Sequence, residues 1–309
     1  MSVRSLRLAV QYVSFLILMY GGRIGIRLGS ALPCFACPFV PGCGGYCYLM
    51  GLQGYIGFGL AAGGAAGQQI LEALFWFLVF VALTSLLGKV WCGWICPFGL
   101  IQDWLSWLRN TLGVRERYIS PDWKNLIGSV KYIFLFCIVI LPPLITANIL
   151  PPDFYLPFCS ICPGKLILPL FAGETQYLAL NLDNAVTFWF SLSLIAVTGS
   201  TLTGVFFKDR LFCLFCPLLA LIHVLRPLTA LKLVKEPTFC SGCGNCRRAC
   251  QMDVAEIDQN APQVQTIECV DCLRCLEACP SSGALSLRFF GFKLFSSQRF
   301  STRALRVKP

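Results

Sequence analysis

Eight cysteines between residues 240 and 280 constrain this chain more than any other feature. They read Cys240-x2-Cys243-x2-Cys246-x3-Cys250, then eighteen residues, then Cys269-x2-Cys272-x2-Cys275-x3-Cys279-Pro280. Runs of this spacing supply the four thiolates of a [4Fe-4S] cluster, and in paired runs the fourth thiolate reaches across to the other cluster. The expected sets are Cys240, Cys243, Cys246 and Cys279 for one cluster, and Cys269, Cys272, Cys275 and Cys250 for a second. A pair of zinc sites or a disulfide framework is the competing reading. Zinc more often takes two separated cysteine pairs than a three-plus-one run. One departure stands out: Gln251 follows Cys250 where such runs commonly carry proline, which bears on the local turn more than on ligation.

The rest of the chain is of a different kind. Of 309 residues, 56% are apolar and 13% charged, the composition of a membrane protein with a small soluble appendage. Residues 236–280 carry Glu236, Asp253, Glu256, Asp258, Glu268, Asp271 and Glu277 against Arg247, Arg248 and Arg274, so the excess of +10 lies elsewhere. In a soluble protein that excess would suggest nucleic acid; here the cations sit beside apolar spans, where they set topology, and no nucleic-acid module is visible. Four segments reach the roughly 20 apolar residues needed to cross a hydrocarbon layer: about Leu6–Leu28, Ile70–Leu87, Ile127–Leu150 and Ala185–Phe206. The start at Met1 leads into the first as an uncleaved span, since no small-residue cleavage site follows. Lys89, Arg109, Arg115, Arg117, Lys124 and Lys131 outnumber Asp103, Glu116 and Asp122 after the second span, and Lys208 and Arg210 follow the fourth. Those loops, both termini and the cysteine-rich module are expected in the cytoplasm. The loop bearing Asp153, Lys165, Glu174 and Asp183 is expected outside.

The first outer connection, Leu28–Leu71, holds no Asp, Glu, Lys, Arg or His but ten glycines from Gly42 to Gly67, with Tyr46, Tyr48, Tyr55 and Phe58 among them. Irregular backbone at membrane depth must be covered by protein, so a re-entrant or tightly packed segment is expected. Phe98–Arg109, with Trp104, Trp107 and Leu105 set against Asp103 and Arg109, reads as an amphipathic helix at the interface, its tryptophans as anchors.

Outside the module the cysteines fall in pairs at corresponding places. Span one leads to Cys34-x2-Cys37-Pro38, span two to Cys92-x3-Cys96-Pro97, span three to Cys159-x2-Cys162-Pro163 and span four to Cys213-x2-Cys216-Pro217. This order repeats halfway through the membrane domain, as two pseudo-repeated helix pairs would. Side by side, the pairs bring Cys92, Cys96, Cys213 and Cys216 together at the inner face and Cys34, Cys37, Cys159 and Cys162 at the outer. Both tetrads are expected to hold [4Fe-4S] clusters, since soft thiolates select such centres. Structural zinc inside and disulfides outside are the alternatives. A buried anionic cluster calls for cations, and Arg23, Arg27, Lys89, Lys165, Lys208 and Arg210 flank the pairs. Cys43 and Cys47 remain: they could complete a local site with Cys34 and Cys37, bind a further cofactor, or form a disulfide, which is preferred. Cys137 reads as a small apolar residue within a span. His223 is the only histidine, so bis-histidine haem within the chain is excluded. It reads as a satisfied imidazole near the inner interface, with proton transfer to quinone as the alternative. Glu72, at the outer start of span two, is a second proton-relay candidate. No glycine-rich motif indicates NAD or flavin.

Residues 236–287 resemble bacterial two-cluster ferredoxins. The run Trp91-Cys92-Gly93-Trp94-Ile95-Cys96-Pro97-Phe98-Gly99, joined to four spans and that module, resembles the NapH/NosR/MauN/CcoG group of membrane polyferredoxins over nearly the whole chain. The family's Cys-x3-Cys-Pro run is matched at Cys92, Cys96 and Pro97, and its second copy is shortened to Cys213-x2-Cys216-Pro217. The outer cysteines lie outside the family motif, and no counterpart of the flavin-bearing domain of some relatives is expected within these 309 residues. The expected protein is therefore α-helical, with four transmembrane helices in two pairs over residues 1–232, a small α+β two-cluster ferredoxin domain over 233–287 and a basic tail over 288–309. The resemblance implies an electron-transfer subunit in the inner membrane of a bacterium or archaeon, working with other subunits of a membrane redox complex and with menaquinone or ubiquinone. A quinol dehydrogenase module and a thiol- or copper-reducing assembly factor are the alternatives.

Overall fold

Prolines decide where the helices of this chain break. The residue before a proline is pushed out of the helical region, whereas proline itself suits the first helical position. In the computed structural model, which describes residues 3–61, 66–117, 119–146, 149, 154, 156–257 and 268–297, three helices begin on such prolines directly after an extended cysteine. Cys96 (φ −60°, ψ 117°), Cys162 (φ −74°, ψ 125°) and Cys216 (φ −69°, ψ 117°) each end a short helical segment, and Pro97, Pro163 and Pro217 start the next helix.

The helices are α1 (Val3–Tyr20), α2 (Tyr48–Ala61), α3 (Ala66–Leu87), α4 (Pro97–Thr111), α5 (Pro121–Thr146), α6 (Pro157–Ile161), α7 (Pro163–Leu170), α8 (Ala185–Phe207), α9 (Leu211–Phe215), α10 (Pro217–Val224), α11 (Asn245–Arg248) and α12 (Arg274–Ala278). Among the described residues, four stretches are long and apolar enough to cross a membrane: Val3–Ile24, Ile70–Leu87, Asp122–Ile145 and Ala185–Phe207. The first ends earlier than the sequence suggests because Gly25, at φ 82°, turns the chain. Leu71, Leu74, Phe75 and Leu78 form an exposed stripe at helical spacing on α3, as a lipid-facing surface requires. The start of α8 is fixed by a capping box: Thr187 donates its N–H to Asn184 Oδ1 at 2.8 Å, and Asn184 donates its own to Thr187 Oγ1 at 3.2 Å.

The charge-free connection after α1 is packed inside the protein, with Ala31, Leu32, Cys34, Phe35, Ala36, Cys37 and Val40 all buried. It then forms α2, which lies against α5 and α3. That helix was hidden in the sequence by its glycines. The amphipathic helix α4 is present. Gln102, Asp103, Ser106 and Arg109 are its inward side, between α1 and α8, while Trp107 and Leu108 face out. In an apolar solvent the polar face belongs inside.

Three short strands, β1 (Leu231–Lys235), β2 (Leu285–Phe289) and β3 (Phe292–Ser296), form an antiparallel sheet in the order β1-β2-β3. Leu231, Leu233, Leu285 and Leu287 pack on Ile257, Leu273 and Leu276, and the same cluster takes in Val3 and Trp94 from the membrane helices. The tail from 298 onward, Asp153 and Asp258 lie outside the described residues.

Candidate metal centres

An extended cysteine ahead of a helix aims its sulfur at the unpaired N–H groups of that helix's first turn. The Cys96 sulfur is faced by the backbone N–H groups of Phe98 and Gly99, and that of Cys216 by those of Leu218 and Leu219. Gly164 donates to Cys162 Sγ at 3.3 Å. Such N–H donors stabilise a thiolate.

In the module, Cys240, Cys243, Cys246 and Cys279 line one cavity of about 100 Å³. Cys250, Cys269, Cys272 and Cys275 line another of about 20 Å³, together with Leu233, Val254, Ile257 and Val270. These are the groupings expected from the interlocked runs. The sets adjoin, since Cys246 is an electrostatic neighbour of Cys275. Among the described residues, no three His, Cys, Asp or Glu side chains close up tightly enough to grip one metal ion. The thiols stand around the walls of cavities, an arrangement suited to a cage of several irons whose ligands sit at its corners.

In the membrane half, Cys92 has Cys96, Cys213 and Cys216 as its electrostatic neighbours. This tetrad abuts the module. Gly93 leaves room for no side chain, because a Cβ there would stand 2.3 Å from Val270 O and 3.2 Å from Cys272 Cα. Trp94 Nε1 donates to Asp271 O at 3.0 Å. Gln102, fully covered on α4, extends Nε2 to 3.7 Å from Cys213 Sγ.

The remaining cysteines are arranged differently from expectation. Cys37, Cys47, Cys159 and Cys162 line one cavity of about 20 Å³, together with Phe35, Phe158 and Lys165. Cys34 is packed instead with Leu18, Leu32 and Ala36 against Ile95 and Cys96. Cys43 and Cys47 are both free thiols; Cys43 is half-buried near Tyr46, and Cys137 half-buried within α5.

Three of the six expected cations attend the thiols. Lys165 lines the outer cavity and lies over the Phe39 and Tyr177 rings at 4.9 and 5.6 Å. Lys89 is buried with Cys92, Cys269 and Asp271 as its electrostatic partners. Arg210 is fully buried, donating to Cys92 O at 3.1 Å and to Asp103 Oδ2 at 2.7 Å, with Cys213 and Cys272 in electrostatic reach. Arg23 and Arg27 are exposed, Arg23 lying over the Tyr20 ring, and Lys208 pairs with Glu116 at 2.9 Å. These three correct the expectation: chain proximity to a cysteine pair did not place them at it.

Sequence reasoning missed the polar junction between the halves. Asp103 accepts from Gln11 Nε2 at 3.0 Å, Arg210 Nε at 3.3 Å and Gln251 Nε2 at 2.8 Å, with Arg274 at 3.9 Å. Burial pushes the Asp103 carboxyl up, but Arg210, Arg274 and Arg7 outweigh it and hold the group well below the usual carboxylate range. Arg7 donates to Cys272 O at 3.2 Å. Gln251, the residue in place of the common proline, therefore supplies a donor that proline lacks. His223 Nδ1 stands 3.3 Å from Lys89 Nζ. Burial, with Lys89, Arg226 and Lys131 nearby, pushes its imidazole down to about 4. Glu72 is exposed on α3 and accepts from Trp76 Nε1 at 3.4 Å.

Two family models match the chain: a 4Fe-4S binding domain over residues 69–115 and a 4Fe-4S dicluster domain over residues 232–280. YccM of Escherichia coli, which carries an electron-transport name, is 25% identical over 215 residues, covering 69% of this chain and 55% of YccM. The ferredoxin-type protein NapH of Haemophilus influenzae is 44% identical over 39 residues, 12% of this chain and 14% of NapH. The regulatory protein NosR of Pseudomonas aeruginosa is 25% identical over 191 residues, 60% of this chain and 23% of NosR. The chain thus spans about half of YccM and under a quarter of NosR. No solved structure matches.

Proposed function

We propose, from the premise that this chain is a NapH/NosR-like iron–sulfur polyferredoxin with an electron-transfer role, that its thiol sets form one continuous series running from the module at 233–287 into the membrane. The observation carrying this reading is the seam at Gly93, where the Cys92–Cys96 turn meets the Val270–Cys272 backbone with no side chain between. In it, the two module sets and the tetrad Cys92, Cys96, Cys213 and Cys216 each hold a [4Fe-4S] cluster, a centre that supplies reversible one-electron transfer when bound. The chain's own residues set the conditions for that chemistry. Buried Arg210, Lys89 and Arg7 offset thiolate charge between the sets, helix-terminal N–H groups hold the sulfurs, and α4 and α8 exclude water.

The two halves of the membrane domain support the pseudo-repeat reading. Helix α4 packs on α1 and α10 on α5, so the helix after each even-numbered span returns to the first span of its own half. The Lys and Arg of the loops after α3 and α8 favour a cytoplasmic module and cytoplasmic termini in the inner membrane of a bacterium or archaeon. Other subunits of a redox complex, and menaquinone or ubiquinone, are the partners this reading calls for. Iron and acid-labile sulfide counts on the purified chain test it. At about four irons per set, about 12 or more per chain is expected, and Cys213→Ser should lose about four. About 8 in the unaltered chain overturns the membrane tetrad.

A further inference from the structure

We infer that Cys37, Cys47, Cys159 and Cys162 form a fourth [4Fe-4S] site, built on the same plan as the tetrad below it, with Cys47 and not Cys34 as its ligand. The inference rests on the preceding reading and extends it. Three observations carry it.

The four thiols line one cavity, about 20 Å³ like that of the Cys250, Cys269, Cys272 and Cys275 set. Cys47 also stands to α2 as Cys96 stands to α4: each directly precedes its helix, and each sulfur is faced by N–H groups of the first turn, Leu49 and Met50 in one case, Phe98 and Gly99 in the other. Cys34 is not in the lining of that cavity; its sulfur lies between Cys47 and Cys96 and is held among Leu18, Leu32 and Ala36.

The third observation is a pair of glutamines. Six residues after Cys47 comes Gln53, and six after Cys96 comes Gln102. Gln53 is fully buried, and its Nε2 lies 3.5 Å from Cys159 Sγ, the first thiol of the facing Cys-x2-Cys-Pro pair. Gln102 Nε2 lies 3.7 Å from Cys213 Sγ, the first thiol of its own facing pair. Each amide oxygen is buried without a partner, and each Nε2 also reaches the carbonyl four residues before it, Leu49 O at 2.9 Å and Phe98 O at 3.5 Å, so the N–H groups alone anchor both side chains. An amide donor to a thiol is a device for tuning a metal–thiolate centre. Lys165 supplies the cation on the wall of this cavity.

The test uses the full-length purified chain, with iron, acid-labile sulfide and EPR-monitored redox titration as readouts. The unaltered chain should hold about 16 irons, four per set. Cys47→Ser should lose about four irons and one EPR component while keeping the others, and Cys34→Ser should keep them all. About 12 in the unaltered chain overturns this inference and leaves the preceding reading standing; about 8 removes both. Loss in Cys34→Ser without loss in Cys47→Ser overturns the ligand assignment. Gln53→Leu keeps every thiol and reads the same site should Cys47→Ser fail to assemble: full iron with one midpoint potential lowered is expected, and unchanged potentials overturn the role given to Gln53.

Discussion

Asp103 shows how much a single buried side chain can organise. It gathers donors from α1, from the turn before α9 and from the module, and its charge is matched by Arg210 at 2.7 Å. Removing one partner of a buried ion pair leaves the other uncompensated, at about 3–5 kcal/mol. Asp103→Ala should lose about that much stability in chemical denaturation, whereas Trp107→Ala, on the outward side of the same helix, should change it far less. His223 gives a second expectation. Its folded pKa of about 4 lies below the ordinary histidine value, so the folded chain keeps the ring neutral while an unfolded chain protonates near 6.5. Stability from this group is therefore present above about 6.5 and lost as pH falls toward 4. The single imidazole resonance should stay fixed between pH 8 and 5.5, and a midpoint near 6.5 would contradict this placement. Cysteine spacing made the module's thiol sets legible in the sequence. The glutamines were not legible, because Gln11, Gln53, Gln102 and Gln251 gain meaning only when distant segments bring a sulfur or a carboxylate within reach.

At the scale of the element, a Cys-Pro dipeptide both ends one helical segment and orients a sulfur at the start of the next. That is local chemistry, so the inner pairs could be read from sequence. Cys47 precedes Tyr48 with no proline, and α2 was masked by its glycines, so its equivalence to Cys96 was invisible. Which side of α4 turns inward was not legible for another reason: amphipathicity gives a face but not the medium it meets. The turn at Gly93 carries the third prediction. Gly93→Ala places a methyl group against Val270 O and should prise the module from the membrane helices, seen as faster proteolytic cleavage between residues 225 and 240. Unchanged cleavage would mean that the halves do not meet tightly there.

For the whole molecule, α1 serves as a measuring rod. Arg7 meets Cys272 O, Gln11 meets Gly93 O, and Leu18 packs with Cys34 near Cys96. Arg7 to Leu18 is about 16 Å of helix rise, about half of a hydrocarbon core. Buried loops thus carry the cysteines after α1 down toward Cys96, with Phe35 as a shared wall: its ring lies 5.2 Å from that of Phe212 and 6.2 Å from that of Phe158. The outer surface of the bundle is apolar, and Phe136 is 64% exposed on α5. Phe136→Lys at mid-span should oppose insertion by about 2.5–3.5 kcal/mol, measured as a lower membrane-inserted fraction.

The Gln251–Asp103 contact also sets a rule for chimeras. A soluble two-cluster ferredoxin grafted onto these helices would bring proline to position 251, and the host would keep an acceptor with one donor too few. Such a hybrid should dock only when the graft carries glutamine there, so one side chain acts as a key to which soluble domains this scaffold will accept.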